Sequence, residues 1–392
     1  MTHFDPAAAT AAYMATLSPA AHAKATAYTQ GGHWLLLWGW LVTVAAAFII
    51  VRTGVLARAE ERIEAKTPRP ILASATAIAL FLVLDFVLEL PWDIYSGWWR
   101  EKAYGLTSQA FGGWFGEHVL GFVISLVMMT VFLMILYALI RRAPKVWWAW
   151  SGALAVAAMV FMFLVGPIFI EPLFNTYTPA PNGPVRDEVV ALAKKAGVPY
   201  DKIYIYNGSK QSNRYTANVS GLGSSARVAM SDTMFDKGAD LAEVRGVVGH
   251  EMGHYKRDHV IWMTLFFSVL AVLMFFLIDR LFPVAARWMG ADVEGVADPA
   301  GLPVIMALIA TLSLLGTPII NTYIRWQEQD ADNFSLRYAN EPDGLSKALV
   351  KTIEYRASSP SDLEEILFYD HPSVEHRVRK AMEWKAAHPA GG

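Results

Sequence analysis

Two histidines and a glutamate carry the chemistry that this sequence advertises. His250-Glu251-Met252-Gly253-His254 reads H-E-x-x-H and lies in a helix-compatible run that begins at Leu241. On a helix, residues four apart share one face, so His250 and His254 can hold one metal ion together. Glu251 then stands beside a metal-bound water. Two imidazoles with an open coordination position are what zinc hydrolases use to make hydroxide near neutral pH. Gly249 and Gly253 are poor helix formers, and their place inside the motif points to a close approach by another element. A bare H-E-x-x-H also arises by chance, so the site needs a further ligand. The three-histidine version fails on spacing: it requires histidine at Val260, and His259 falls one residue short.

The third ligand candidate is Glu328, in Arg325-Trp326-Gln327-Glu328-Gln329-Asp330-Ala331-Asp332. In gluzincins a glutamate on a second helix completes the zinc site. Asp332, one turn on, can take the free N–H of a ligand histidine and fix its tautomer. The plainer reading is a charged helix start, where acids are favoured anyway. Farther along, His371 precedes Pro372, which puts it in extended or turn backbone. From there it can donate to the oxyanion of a tetrahedral intermediate, although a lone histidine there is more often an ordinary turn residue.

The elements that must position these groups lie in a membrane. The chain has 392 residues, 54% hydrophobic and only 17% charged, with mean hydropathy +0.32, which points to the membrane class. Net charge is −2, so there is no basic footprint and no nucleic-acid partner is expected. There is no cysteine, which excludes disulfides, thiolate ligands and cysteine nucleophiles. Six apolar runs are long enough to span a bilayer: His33–Val51, Ile71–Leu90, Val119–Ile140, Trp147–Ile170, Ile261–Phe282 and Leu302–Ile324. Tryptophans cluster near their ends, as interfacial belts do. Asp85, Glu89, Glu117 and His118 sit in or at these runs. Ionisable groups at that depth point to a water-filled interior, or else to interhelical hydrogen bonds alone.

Residues 171–258 differ. Pro179–Pro184 reads as a linker and Val185–Ala196 as an amphipathic helix. Lys202–Tyr206 and Arg227–Met230 read as short strands. Between them, Asn213–Gly223 is expected to be an edge strand, and Thr216, Ala217, Asn218 and Val219 are the residues expected to pair with substrate. The expected division is 1–32 as a partly helical lead-in, 33–170 as four spans and 171–258 as the zinc protease domain. Then come 259–324 as two further spans, and 325–392 as the domain's C-terminal part with the third ligand. The histidine helix is expected to run straight into the fifth span.

Taken together, the residues resemble the type I CAAX prenyl endoproteases, integral-membrane zinc gluzincins. The likeness rests on Leu90-Pro91-Trp92, on Trp99–Leu106 and on Glu171–Pro179. It rests further on His250–His259, on Glu328 with Ala331 and Asp332, and on His371-Pro372, all in the family's order. It implies that His250, His254 and Glu328 bind one Zn2+, that Glu251 is the general base, and that His371 lies near the reacting carbonyl. Thr216 stands where the family usually has asparagine. The implied fold is mainly α, a polytopic membrane protein. A barrel of tilted transmembrane helices surrounds a water-filled chamber and carries an inserted small α+β zinc metalloprotease domain. Family members usually have seven spans, and the first is expected to be absent here.

The expected activity is a zinc metalloendopeptidase cutting membrane-associated or lipidated, CAAX-like peptides. The alternatives are a membrane-protein quality-control protease and a non-catalytic lipopeptide-binding chamber. The intact Glu251 speaks against the last. The resemblance implies an active site facing the cytoplasm. The positive-inside rule points the other way, because Arg52, Arg58, Arg62, Lys66 and Arg69 crowd one loop on the opposite side.

Overall fold

The computed structural model describes residues 4–65, 69–220 and 227–389. A short helix, Pro6–Met14, is capped by Asp5, whose carboxylate accepts from the Ala7 amide. Among the described residues, six helices are long and apolar enough to cross a membrane. α1 is Pro19–Thr53, α2 is Pro70–Asp93, α3 is Phe111–Arg142 and α4 is Trp147–Val165. α2 continues through a π-helical turn to Ala103, and α4 through another to Phe174. After these come β1 (Tyr177–Pro179), α5 (Pro184–Ala196), β2 (Ile203–Tyr206), β3 (Ala217–Ser220) and β4 (Arg227–Ser231). The chain ends with α6 (Leu241–Lys256), α7 (His259–Met289), α8 (Leu302–Tyr338), α9 (Pro342–Lys351) and α10 (Val374–Ala387). Each helical span, with its π-helical continuation where it has one, is longer than its apolar run.

The spans close into a ring. α1 packs on α2, α2 on α3, α3 on α4, α4 on α7, α7 on α8, and α8 back on α1. Among the described residues, the hydrophobic core cluster of this ring lies in the half away from β1–β4. It includes Ile50, Phe81, Leu136, Tyr137, Trp147, Ile278 and Leu302. The other half carries polar groups instead. Glu89 accepts from Thr43 Oγ1 at 2.6 Å, and His118 Nε2 lies 3.3 Å from Asp93. Outward faces are apolar, as at Val127, Val269 and Leu315. The result is a helical barrel plugged at one end and polar toward the other, where the protease domain sits.

That domain has a four-stranded sheet in the order β1-β2-β4-β3, with β2 and β4 parallel and the other pairs antiparallel. Val228, Met230 and Ile203 pack against Val189 and Leu192 of α5 and against Val244, Val248 and Met252 of α6. β1 ends at Pro179, where the stretch that sequence patterning assigns to a linker begins. Its three residues are too few to show alternation, and it exists because it pairs with β2. Gly221, Leu222 and Gly223, the glycine end of the expected edge strand, lie outside the described residues.

α6 does not run into the fifth span. It ends at Lys256, and Asp258 adopts φ 53° before α7 begins at His259. Aspartate is among the few non-glycine residues that tolerate this left-handed backbone.

Candidate active site

α6 starts at Asp240, whose carboxylate accepts from the Glu243 amide at 2.8 Å. This is one half of a capping box. The helix then presents His250 and His254 on one face, with their Nε2 atoms 3.2 Å apart. α8 crosses against it and brings Glu328 up to both. Oε2 lies 3.2 Å from His250 Nε2, and Oε1 lies 3.3 Å from His254 Nε2. The glycines allow this approach. A Cβ on Gly253 would meet Ala331 Cα at 3.0 Å, and one on Gly249 would meet Ser335 Oγ at 2.9 Å.

One donor atom from each of His250, His254 and Glu328 falls within a 4.8 Å cluster. Glu328 Oε2 is buried and accepts no hydrogen bond among the described residues, although His250 and His371 imidazoles flank it at 3.2 Å. An orphaned buried carboxylate oxygen between imidazole nitrogens is what a divalent cation satisfies. The donor set therefore fits a metal.

Behind the ligands stands a second set of contacts. His250 Nδ1 lies 2.9 Å from Asp332 Oδ1. Asp332 in turn accepts two hydrogen bonds from Arg377 of α10. His254 Nδ1 lies 3.0 Å from His259 Nδ1, and His259 Nε2 lies 3.3 Å from Asp330. The turn at Asp258 is what folds His259 back to reach His254. Burial alone would lower the His250 pKa, but Glu328 and Asp332 outweigh it and raise it.

Glu251 and His371 line the same cleft, of about 270 Å³, with Thr216, Ala217 and Arg356. Burial pushes the Glu251 carboxyl up, and Glu328 adds to this. His250, His254 and Arg377 pull the other way. His371 Nδ1 lies 2.8 Å from Asp370. Burial lowers the His371 pKa, and the Arg356 guanidinium lowers it further.

β3 forms the edge of the sheet beside this cleft. The Ser231 amide donates to the Thr216 carbonyl at 3.1 Å. Thr216 and Ser231 are thus a hydrogen-bonded pair, and Ala217 opposite Met230 is a non-bonded one. The backbone groups of Ala217 and Val219 consequently point away from β4. Thr216 and Ala217 line the cleft, whereas Asn218 and Val219 do not.

Residues 179–385 match the family model described as peptidase family M48. The chain belongs to peptidase family M48. Residues 6–176 match a second model, described as CAAX prenyl protease N-terminal, five membrane helices. Four candidate spans lie ahead of β1 in this M48 chain. It is 29% identical over 373 residues to an uncharacterized metalloprotease, YhfN, of Bacillus subtilis, covering 93% of this chain and 86% of that one. It is 23% identical to CAAX prenyl protease 1 of Saccharomyces cerevisiae, covering 79% and 72%. The fold is that of Ste24p from S. mikatae, with TM-score 0.78 at 20% identity, covering 94% of this chain and 89% of that one. This M48 member is a membrane-embedded, multi-pass metalloendopeptidase, which sets aside the non-catalytic chamber.

Arg377, Asp330 and Arg356 have no role in the sequence reading of the site, and His259 enters it only as a histidine one residue short of a ligand position. Arg377 had a usable signal: it stands one turn into the helix that Ser373 caps, directly after His371-Pro372.

Proposed function

We propose that the protein is a zinc-dependent endopeptidase acting on membrane-associated, lipidated, CAAX-like substrates, with its active site facing the cytoplasm. The observation that carries this is one cleft holding His250, Glu251 and Glu328 beside a free strand edge, at the polar end of a helical ring. The names of the yeast and plant relatives support the substrate class. The proposed division is the one expected above: spans 33–170 and 259–324, with the protease domain in 171–258 and 325–392.

His250, His254 and Glu328 would hold the ion, and Asp332 fixes the His250 tautomer by accepting the hydrogen bond from its Nδ1–H. Zinc, when bound there, supplies Lewis acidity toward the scissile carbonyl and acidifies a water. Glu251 accepts the proton of the attacking water and passes it to the leaving amine. An extended substrate pairs with the outward backbone groups along Thr216–Val219, chiefly those of Ala217 and Val219. His371 donates to the oxygen that gains charge. Asp370 accepts from Nδ1–H and orients Nε2 toward the cleft, so the donor at Nε2 is the doubly protonated ring, whose charge Asp370 offsets.

The test is a proteomic comparison of membranes carrying wild-type protein with membranes carrying Glu251→Gln. The proposal expects uncut proteins with lipidated C-terminal motifs to accumulate in the variant. Accumulation of membrane proteins without a shared C-terminal feature would favour quality control. Identical termini in the two samples would contradict proteolysis.

A further inference from the structure

Two guanidinium groups line the active-site cleft, those of Arg356 and Arg377. Asp332 neutralises Arg377 by two hydrogen bonds. Among the described residues, no carboxylate lies within ion-pair distance of Arg356. Asp370, whose carboxyl the Arg356 charge helps to hold down, is engaged by His371, and the Arg356 guanidinium lies 5.5 Å from the Tyr355 ring centroid. A half-buried guanidinium stays charged and is costly to leave unpaired.

Its backbone is held in place from both sides. The Ala357 amide donates to Thr29 Oγ1 of α1 at 2.8 Å. Tyr355 Oη donates to the Tyr215 carbonyl at 3.1 Å, at the entry to β3. Arg356 Nη2 then lies 3.5 Å from His371 Nε2, and that atom lies 3.2 Å from Glu328. The positive fork thus stands one side chain from the candidate metal ligand, in the cleft that β3 borders. Its planar geometry matches a carboxylate.

We propose that Arg356 selects substrates that bring a carboxylate close to the scissile bond. This rests on the endopeptidase reading. The carboxylate can be the substrate's C-terminus or an Asp or Glu side chain.

The test uses matched peptides. One pair differs only in C-terminal carboxylate against amide. The other pairs place Glu against Gln at positions flanking the cut. Zinc-loaded wild type should favour the carboxylate member of at least one pair by about tenfold or more in kcat/KM, as a charge-assisted hydrogen bond predicts. The pair that responds names the source. Arg356→Gln should bring that ratio to about one, Arg356→Lys should keep part of it, and Arg356→Glu should invert it. The ratio is insensitive to a general loss of activity, and zinc content reports on folding. The same ratios are read as Kd on Glu251→Gln protein, which decides the proposal even if turnover is absent and the endopeptidase reading fails. Ratios of one in wild type, or a wild-type ratio surviving in Arg356→Gln, would overturn it.

Discussion

Arg377 grips Asp332 through Nε and Nη2, each 2.7 Å from a different carboxylate oxygen. Both side chains are buried, and the same carboxylate reaches His250 Nδ1 at 2.9 Å. This pair ties α10 to α8 and, through His250, to the candidate metal site. Removing one member of a buried pair leaves an uncompensated charge. Asp332→Ala should weaken metal binding by about 10- to 100-fold, the usual effect of losing such a partner. Chelator competition measures it, and an unchanged affinity would detach Asp332 from the metal site.

The Asp240 cap gives a pH prediction. The Glu243 amide, then Lys347, hold the Asp240 carboxyl below its usual pKa. A lowered folded-state pKa means stability that is complete above the unfolded value, about 3.9. It is lost as pH falls through the folded one. Asp240→Asn should retain most of the cap but lose this part of the acid sensitivity. Thermal unfolding of both proteins across acid pH checks it, and parallel curves would contradict it.

Ala217→Pro removes a backbone donor that points away from β4, without touching the ladder or the metal ligands. It should raise KM several-fold or abolish cleavage while zinc content stays at the wild-type level. Normal kinetics in folded, zinc-loaded protein would take β3 out of substrate binding.

Orientation is testable because the chain has no cysteine. Cysteines at Arg62 and Asp236 lie on exposed positions at opposite ends of the ring. In intact cells, an impermeant label should reach position 62 and not position 236. The reverse pattern would support the charge distribution over the cytoplasmic assignment.

Much of this was legible in the sequence because its signals are local. Residues four apart on a helix need no tertiary context to share a face, so His250 with His254, and Glu328 with Asp332, could be read directly. Gly249 and Gly253 signal a close approach by another element, and that element is α8. What stayed hidden was long-range. Arg377 reaches Asp332 across 45 residues, and Arg356 faces the cleft only because Thr29 and Tyr215 pin its turn. The break at Asp258 was missed because one left-handed residue leaves no periodic trace.

The central claim is metal-dependent peptide hydrolysis with Glu251 as base. The most direct measurement is the hydrolysis rate of one peptide by purified wild type and by Glu251→Gln, each with its zinc content determined. The account predicts about one zinc per chain in both and a rate lower by about two to four orders of magnitude in the variant. A folded, zinc-loaded Glu251→Gln protein cutting at close to the wild-type rate would contradict it.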